Sequence, residues 1–237
     1  MKNRKQLPAF MSLKRKFDVA SVLDYCKNAG LFDYERYNDI KKSADSHYKN
    51  FLVGNAYSKN SFFIDNHERP LEGELYKQLY LTGYKAPEVR ELAESQTTVK
   101  TRLRRLDPGS MDYVPELDEH NYGTPTEHYA GALKELLDTF HSPLTRVRLA
   151  VLMPGMTIKR HRDYDPSYIC RYHLPLITNS QVEFGMQVNG QDELFNMPAD
   201  GSIYFFNSGL PHWVSNRSTE PRLHLIVDTN GQLDLDT

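Results

Sequence analysis

From Thr145 onward the hydrophobic pattern of the chain changes to a period of two residues, and this change constrains the fold more than any other feature. Short apolar runs follow one another, separated by turn signals such as Pro154-Gly155 and Asn189-Gly190. No helical pattern separates the runs, so the sequence predicts a mainly β sandwich or barrel rather than a parallel α/β sheet. The expected strands are residues 146–153, 169–177, 182–188, 202–206 and 222–228.

The first half of the chain carries helical patterns instead. Asp18 is placed to cap a helix that ends near Gly30. A second helix is expected to start at Thr124, with Pro125 at its first position and Glu127 completing a capping box. We expect both helices to pack against the sheet.

The domain organisation follows from these patterns. Two shorter helices are expected over residues 71–79 and 86–95, and no Gly/Ser-rich linker divides the chain. We therefore expect the helices to buttress the sheet rather than to form a separate domain. The predicted organisation is a basic N-terminal arm at 1–16 and a single domain at 17–237, with a helical and loop part over 17–143 and a sheet-forming core over 144–230.

Composition excludes several classes of partner. The 237 residues carry a net charge of −2, so no nucleic-acid or membrane partner is expected. Residues 1–16 hold six Lys or Arg and no acidic residue, which indicates a solvated tail in preference to an arm for an anionic partner. No apolar run resembles a signal-peptide core or a membrane span. The two cysteines, Cys26 and Cys170, are typical of a reducing compartment, and a cytoplasmic location is expected.

Three residues form a candidate metal site. His161 and Asp163 are two residues apart on an extended segment, so their side chains point to the same side, and His212 arrives from a later strand. Two imidazoles and one carboxylate are the ligands of non-haem Fe(II) oxygenases, which keep other positions open for a cosubstrate and O₂. The same ligands also bind Zn²⁺, but the position of Arg222 favours iron.

Arg222 is a candidate clamp for a carboxylate. It stands ten residues after His212 and opens a strand, where its guanidinium could bind a carboxylate through two parallel hydrogen bonds. A metal triad with such a clamp predicts a 2-oxoglutarate-dependent oxygenase.

Further polar residues alternate with apolar ones along two strands and are expected to line a pocket. Buried cations need partners, and a dianionic cosubstrate would supply them. A wet outer face is the alternative, most credible for His224. Arg146 and Arg148 also share a strand face, for which exposure and pocket lining are equally expected. The alternating residues are Arg171 and His173 on one strand, and Arg222, His224 and Asp228 on the other.

The run from Met153 to Asp228 resembles the aspartyl/asparaginyl β-hydroxylase family of Fe(II)/2-oxoglutarate oxygenases. The resemblance implies a double-stranded β-helix, which is a cupin-like jelly roll. It implies iron at His161, Asp163 and His212, and 2-oxoglutarate at Arg222 with help from Arg171 and His173. The residues that carry it are Met153-Pro154-Gly155, His161-Arg162-Asp163, the segment 171–176, Ser208-Gly209-Leu210-Pro211-His212 and the segment 222–228.

Two positions depart from parts of that family. Vertebrate members have glycine where this chain has Asp163, so the chain resembles the bacterial branch with a full triad. Ala150 stands where some members have a serine that binds the cosubstrate. The sequence also shows no counterpart of the membrane anchor and lumenal repeats of the vertebrate enzymes, so their substrate is not expected to carry over to this chain.

The expected function is hydroxylation of an unactivated C–H bond in an amino acid or amino-acid-like molecule by an Fe(II)/2-oxoglutarate-dependent dioxygenase. Arg171, and Arg148 with it, would be surplus cations for a substrate carboxylate. One alternative is desaturation or ring closure by the same centre. Another is hydroxylation of a peptide or protein residue, with the loop 113–122 as a lid. A third is a non-catalytic cupin-like module that binds a small anion.

Overall fold

The computed structural model describes residues 1–32, 76–86, 88–89, 111 and 114–235. Two single-turn 3₁₀ segments, Pro115–Leu117 and Glu119–Asn121, precede β4. No helix in these ranges has the length and apolarity needed to cross a membrane. The elements in chain order are β1 (Phe10–Lys16), α1 (Val19–Asn28), β2 (Tyr76–Tyr80), β3 (Thr82–Gly83), β4 (Thr124–Pro125), α2 (Gly131–Leu137), β5 (Leu144–Leu152), β6 (Thr157–His161), β7 (Cys170–Ile177), β8 (Val182–Val188), β9 (Gln191–Phe195), β10 (Ser202–Phe206), β11 (His212–Asn216) and β12 (Arg222–Thr229).

Two antiparallel sheets enclose a cleft. The large sheet has the strand order β1-β10-β7-β12-β5-β2, and the small sheet has the order β6-β11-β8-β9. From β5 to β12 the chain alternates between the sheets, except that β8 and β9 form a hairpin within the small one. This alternation is that of a jelly roll, so the predicted mainly β, double-stranded β-helix fold is confirmed.

The five strands predicted from the alternation are all present, each within two residues of its expected bounds. The hairpin between β8 and β9 turns at Asn189 and Gly190, as expected. Their φ angles are 51° and 82°, and a two-residue turn of this kind requires positive φ at both positions.

The central strands of the large sheet (β5, β7 and β12) are buried on both faces, because one face lines the cleft and the other packs against the core that includes the helices. Val22 and Cys26 of α1 lie one helical turn apart and are buried in the same core as strands of the large sheet. As predicted, the Asp18 carboxylate caps α1 by accepting from Ser21 N at 3.1 Å, and Gly30 follows the helix with a φ of 67°. The expected role of the helices as a buttress is thereby confirmed for α1.

The second helix begins later than its capping signals predict. α2 starts at Gly131, whereas Thr124–Pro125 forms β4 and pairs with β3. Thr126 then donates its N–H to Leu81 O at 2.9 Å and its hydroxyl to Tyr80 O at 3.1 Å. These contacts hold the segment extended, so pairing with a distant strand outweighs the local capping preference. The apolar residues Leu133, Leu136 and Leu137 are buried as expected.

The helix predicted over residues 71–79 is wrong where the structure describes it. Residues 76–80 form β2, which pairs with β5 so that Gln78 lies opposite Ala150. Because of this pairing, alternate residues face opposite sides, and Leu79 joins the core behind the sheet. Residues 71–75 and most of the helix expected over 86–95 lie outside the described residues.

The basic N-terminal segment is only partly an arm. Phe10–Lys16 is the edge strand β1 and pairs with β10. Leu13 is buried, Lys14 is exposed, and Arg15 donates to Asp234 at 2.8 Å. The sequence interpretation missed this strand because its Lys and Arg content masks a short apolar alternation. Exposed lysine on an edge strand opposes pairing with a further strand.

Candidate metal centre

The structure brings His161, Asp163 and His212 together at the cleft. His161 ends β6 and His212 opens β11, and the two are register partners in the small sheet. His161 Nε2 is 3.8 Å from Asp163 Oδ1, and His212 Nε2 is 3.9 Å from Asp163 Oδ2. One ligand atom from each of the three lies within 4.8 Å of the others. Donors this close, from two imidazoles and one carboxylate, can hold one divalent metal ion.

Backbone carbonyls orient both imidazoles. His161 Nδ1 is 2.6 Å from Lys159 O, and His212 Nδ1 is 2.8 Å from Leu210 O. A carbonyl can only accept, so each Nδ1 carries the proton and donates it. In the neutral ring this leaves the lone pair on Nε2, the nitrogen nearest Asp163, which is the tautomer that a metal ligand needs.

The charges in the centre also suit a metal. Burial opposes ionisation of Asp163, but Arg171 and then the two imidazoles outweigh it and hold the pKa of this carboxyl well below its usual range. Burial lowers the pKa of His212 to about 4, against the opposing effect of Asp163. At neutral pH the carboxylate is charged and His212 is neutral, as metal ligation requires.

Arg171 is held by two carboxylates. Its Nε and Nη2 donate to Asp228 Oδ1 at 2.7 Å and Oδ2 at 2.9 Å, and its Nη1 donates to Asp163. Arg148 Nη1 donates to the same Asp228 Oδ2 at 2.9 Å. The sequence placed these residues on one face, but it did not show that Asp228 offsets the expected surplus of positive charge.

Arg222 lines the same cleft. It is only 1% exposed, and its guanidinium carbon lies 5.5 Å from the centre of the Phe184 ring. The cleft encloses roughly 420 Å³ including its open mouth, and Arg148, Arg171 and the candidate metal ligands also line it. The structure thus brings the predicted clamp and the predicted ligands to one cleft.

His173 and His224 form a buried pair on the wall of the large sheet. Their Nδ1 atoms are 3.3 Å apart, and the ring of His224 stacks on Phe184 with centroids 5.5 Å apart. Burial, and then Arg222, lower the pKa of each well below the usual range, so both rings are neutral. The wet face considered for His224 is wrong, because this side chain is fully buried.

Arg146 is also buried, and its exposure on the sheet face is excluded. Its Nη1 donates to Glu119 at 3.1 Å, and its Nη2 donates to the Tyr80 hydroxyl, which itself donates to Gln78 at 2.9 Å. The sequence interpretation missed Glu119 and Tyr80. The one signal for them was Arg146 itself, because a buried arginine requires acceptors from other segments.

The fold and the cluster define a jelly-roll protein with a two-histidine, one-carboxylate centre. Residues 116–231 match the model of the family described as aspartyl/asparaginyl β-hydroxylase. This segment contains β5 to β12, and its match supports the resemblance that its motifs predicted.

Similarity to individual proteins is partial. The chain is 34% identical over 110 residues to an L-proline cis-4-hydroxylase of Rhizobium meliloti (strain 1021), which is 44% of this chain and 37% of that enzyme. The chain therefore matches well under half of the length of that relative.

Similarity to solved structures is limited to about a third of the chain. The oxalate decarboxylase–formate complex of Lactobacillus farciminis is 17% identical with a TM-score of 0.30, over 36% of this chain and 24% of that one. A cupin domain from Bordetella pertussis Tohama I is 16% identical with a TM-score of 0.30, over 39% of this chain and 88% of that one.

Proposed function

We propose that this protein is an Fe(II)/2-oxoglutarate-dependent dioxygenase that hydroxylates an unactivated C–H bond of a free amino acid or an amino-acid-like molecule. The observation that carries the proposal is the cluster of His161, Asp163 and His212, with ligand atoms within 4.8 Å of one another, in a cleft lined by the buried Arg222. The match of residues 116–231 to the model of a hydroxylase family supports it.

The three clustered residues would hold the iron. When bound, iron supplies the activation of O₂: substrate C–H, O₂ and 2-oxoglutarate become C–OH, succinate and CO₂, with one oxygen atom in the alcohol and one in succinate. The ligand set would also accept zinc. The carboxylate clamp and the family favour iron. The chain's own residues orient the reactants and exclude water.

Arg222 would bind the distal carboxylate of 2-oxoglutarate. Its guanidinium is buried beside the Phe184 ring, where a charged hydrogen bond competes with little water. His173, neutral and on the same wall, would assist through one ring nitrogen. Arg171 was expected to assist as well. Its fork on Asp228 and its contact with Asp163 favour a role beside the metal ligand instead.

The cationic wall of the cleft supports a substrate with a carboxylate. Arg148 and Arg171 both line the cleft, and both donate to Asp228. A carboxylate is the simplest substrate group for a buried guanidinium to bind.

Arg148 is the proposed binder of that carboxylate. It lines the cleft, and its Nε has no hydrogen-bond partner among the described residues. The similarity to an enzyme named as an L-proline hydroxylase supports a small cyclic or linear amino acid.

The test is formation of succinate from 2-oxoglutarate with Fe(II) and ascorbate, while free amino acids and their N-substituted forms are screened by mass spectrometry for a gain of one oxygen. We expect a free amino acid to stimulate succinate formation and to gain oxygen, and His212→Ala to do neither. Oxygen gained only by a peptide or protein would favour the macromolecular alternative. Loss of two hydrogens would indicate desaturation or ring closure. No turnover with any candidate would favour a small-anion binding module.

The location of the protein and the organisation of residues 17–237 as one domain stay predictions. Cys26 and Cys170 are buried thiols outside any disulfide, which fits the reducing compartment on which the expected cytoplasmic location depends.

A further inference from the structure

Asp228 is a fully buried carboxylate that the proposed reaction does not use directly. It lies on β12 beside Arg171 of β7, and Arg171 in turn contacts the metal-ligand candidate Asp163. We infer that Asp228 is a positioning residue that holds Arg171 against Asp163 and thereby sets how tightly the centre binds its metal. This inference rests on the proposed metal site.

The contacts leave Arg171 one orientation. Asp228 and Arg171 are direct register partners, so the carboxylate and the guanidinium meet side by side. Nε and Nη2 both bind Asp228, at 2.7 and 2.9 Å, which fixes the plane of the guanidinium. The remaining nitrogen, Nη1, then reaches Asp163. Rotation of Arg171 would break two charged hydrogen bonds in a buried setting.

Asp228 is also held by Arg148, in addition to its two hydrogen bonds from Arg171. Arg148 Nη1 donates to Asp228 Oδ2 at 2.9 Å and to the carbonyl of Arg146 at 3.0 Å. Burial opposes ionisation of Asp228, but Arg148 and Arg171 outweigh it and lower the pKa of this carboxyl. The anchor is thus charged, and three charged hydrogen bonds converge on it.

The expected consequence concerns metal affinity. Removal of a group that supports a metal ligand commonly weakens metal binding by about 10- to 100-fold. Asp228 acts through Arg171, so we expect the lower end of that range. Asp228→Asn keeps the shape but turns one acceptor into a donor that faces the guanidinium. Arg171 would then lose half of its fork, and its contact with Asp163 would loosen.

In the experiment the metal-free protein is titrated with Co(II), and binding is measured by calorimetry and by the visible absorption of the bound ion. The matched control is Asp234→Asn. Asp234 is also fully buried and paired with an arginine (Arg15, at 2.8 Å), and it accepts from the backbone of His141 and Ser142. These partners do not line the cleft, whereas Arg148 and Arg171, the partners of Asp228, do. Both variants should lose thermal stability without metal. Only Asp228→Asn should bind Co(II) about ten-fold more weakly, with an altered absorption spectrum.

Equal Co(II) affinities of the two variants would overturn the inference. If Asp228→Asn does not fold, Arg171→Lys carries the test alone, because one ammonium cannot reproduce both the fork and the contact with Asp163. It should bind Co(II) about ten-fold more weakly, and wild-type affinity would overturn the inference. When Asp228→Asn and Arg171→Lys are combined, their losses of Co(II) affinity should not add, because both act through the contact of Arg171 with Asp163. Additive losses would contradict the inference.

The outcome is separable from that of the proposed function. Co(II) binding needs neither 2-oxoglutarate nor a substrate, so a failed substrate search leaves this result in place. Conversely, an Asp228 variant with unchanged Co(II) affinity leaves the hydroxylase proposal standing.

Discussion

The two faces of the large sheet are both buried, yet they are built on different principles. Along β5, Val147 and Leu149 face the helices, whereas Arg146 and Arg148 lie on the side of the cleft. The helix-facing side needs only shape and apolar surface. On the cleft side each charge needs a partner in a definite direction, and the partners come from other strands.

The difference separates the face that stabilises the protein from the face that carries the proposed ligand site. Full burial of an apolar side chain contributes about 1.5–3 kcal/mol. Buried ion pairs often contribute nothing net, because desolvation offsets their attraction. We therefore attribute the charged face to the proposed binding of metal and cosubstrate. Substitutions on the cleft face should mainly change metal binding and turnover, whereas substitutions on the helix-facing side should mainly change the free energy of unfolding.

The largest effect is expected at the metal ligands. His212→Ala should weaken metal binding and turnover by more than about 100-fold, since loss of a ligand exceeds loss of its outer support. Metal titration and succinate assays measure this, with thermal unfolding of the metal-free protein as the control for folding. Full iron occupancy and turnover in the variant would show that the ligand is misassigned.

On the opposite face, Leu225→Ala should lower the free energy of unfolding by about 2–5 kcal/mol, because it leaves a cavity in the core. Leu225 is fully buried behind the sheet. Denaturant titration measures the loss. The metal affinity of the folded fraction should stay at the wild-type value. A large drop in affinity would mean that the two faces are not independent.

A smaller effect is expected at the clamp. Arg222→Lys keeps the charge but loses the fork geometry, and a charged hydrogen bond contributes about 1.5–3 kcal/mol. The KM for 2-oxoglutarate should rise roughly ten-fold. Arg160→Lys is the control, because Arg160 forms a similar fork with Asp192 on the outer surface. An unchanged KM for Arg222→Lys would move the clamp to Arg171 or Arg148.

The smallest effect concerns the buried histidines. His224 is neutral in the native state because burial and Arg222 hold its pKa well below 6.5. Below pH 6.5 the unfolded chain takes up a proton there that the native protein does not. The free energy of unfolding should therefore decrease as the pH is lowered below 6.5, by about 1.4 kcal/mol per pH unit for one such group.

His224→Phe keeps a ring on Phe184 and removes this titration. Between pH 6.5 and 5 the stability of the variant should fall less steeply than that of the wild type, by about 1.4 kcal/mol per pH unit. Denaturant titrations of the metal-free proteins at a series of pH values measure the slopes. Parallel curves would show that His224 is protonated in the native state.

Much of this fold and site could be predicted from sequence because the signals are local. Alternation along one strand determines which residues share a face, and a spacing of two brought His161 and Asp163 to the same side. Pairing between distant segments has no such signal. Residues 76–80 became a strand, and Thr124 failed to start a helix, because each pairs with a segment elsewhere in the chain.

The charge partners were hidden for the same reason. Asp228 offsets Arg171 only because β12 lies beside β7, from which it is separated by more than forty residues of chain. The sequence therefore predicted which residues lie near the candidate metal centre, but it overestimated the positive charge there, because it did not show Asp228 beside Arg171.

The pairing of β1 with β10 determines when β1 can fold during synthesis. Phe10 pairs with Phe206 and Lys16 with Ser202, so β1 can pair only after almost 200 further residues have been synthesised. At a synthesis rate of about 5–20 residues per second, the delay is roughly 10–40 s. During that time the nascent chain exposes an unpaired strand that includes Leu13. Exposed lysines on this strand oppose its pairing with other nascent chains on the same messenger RNA.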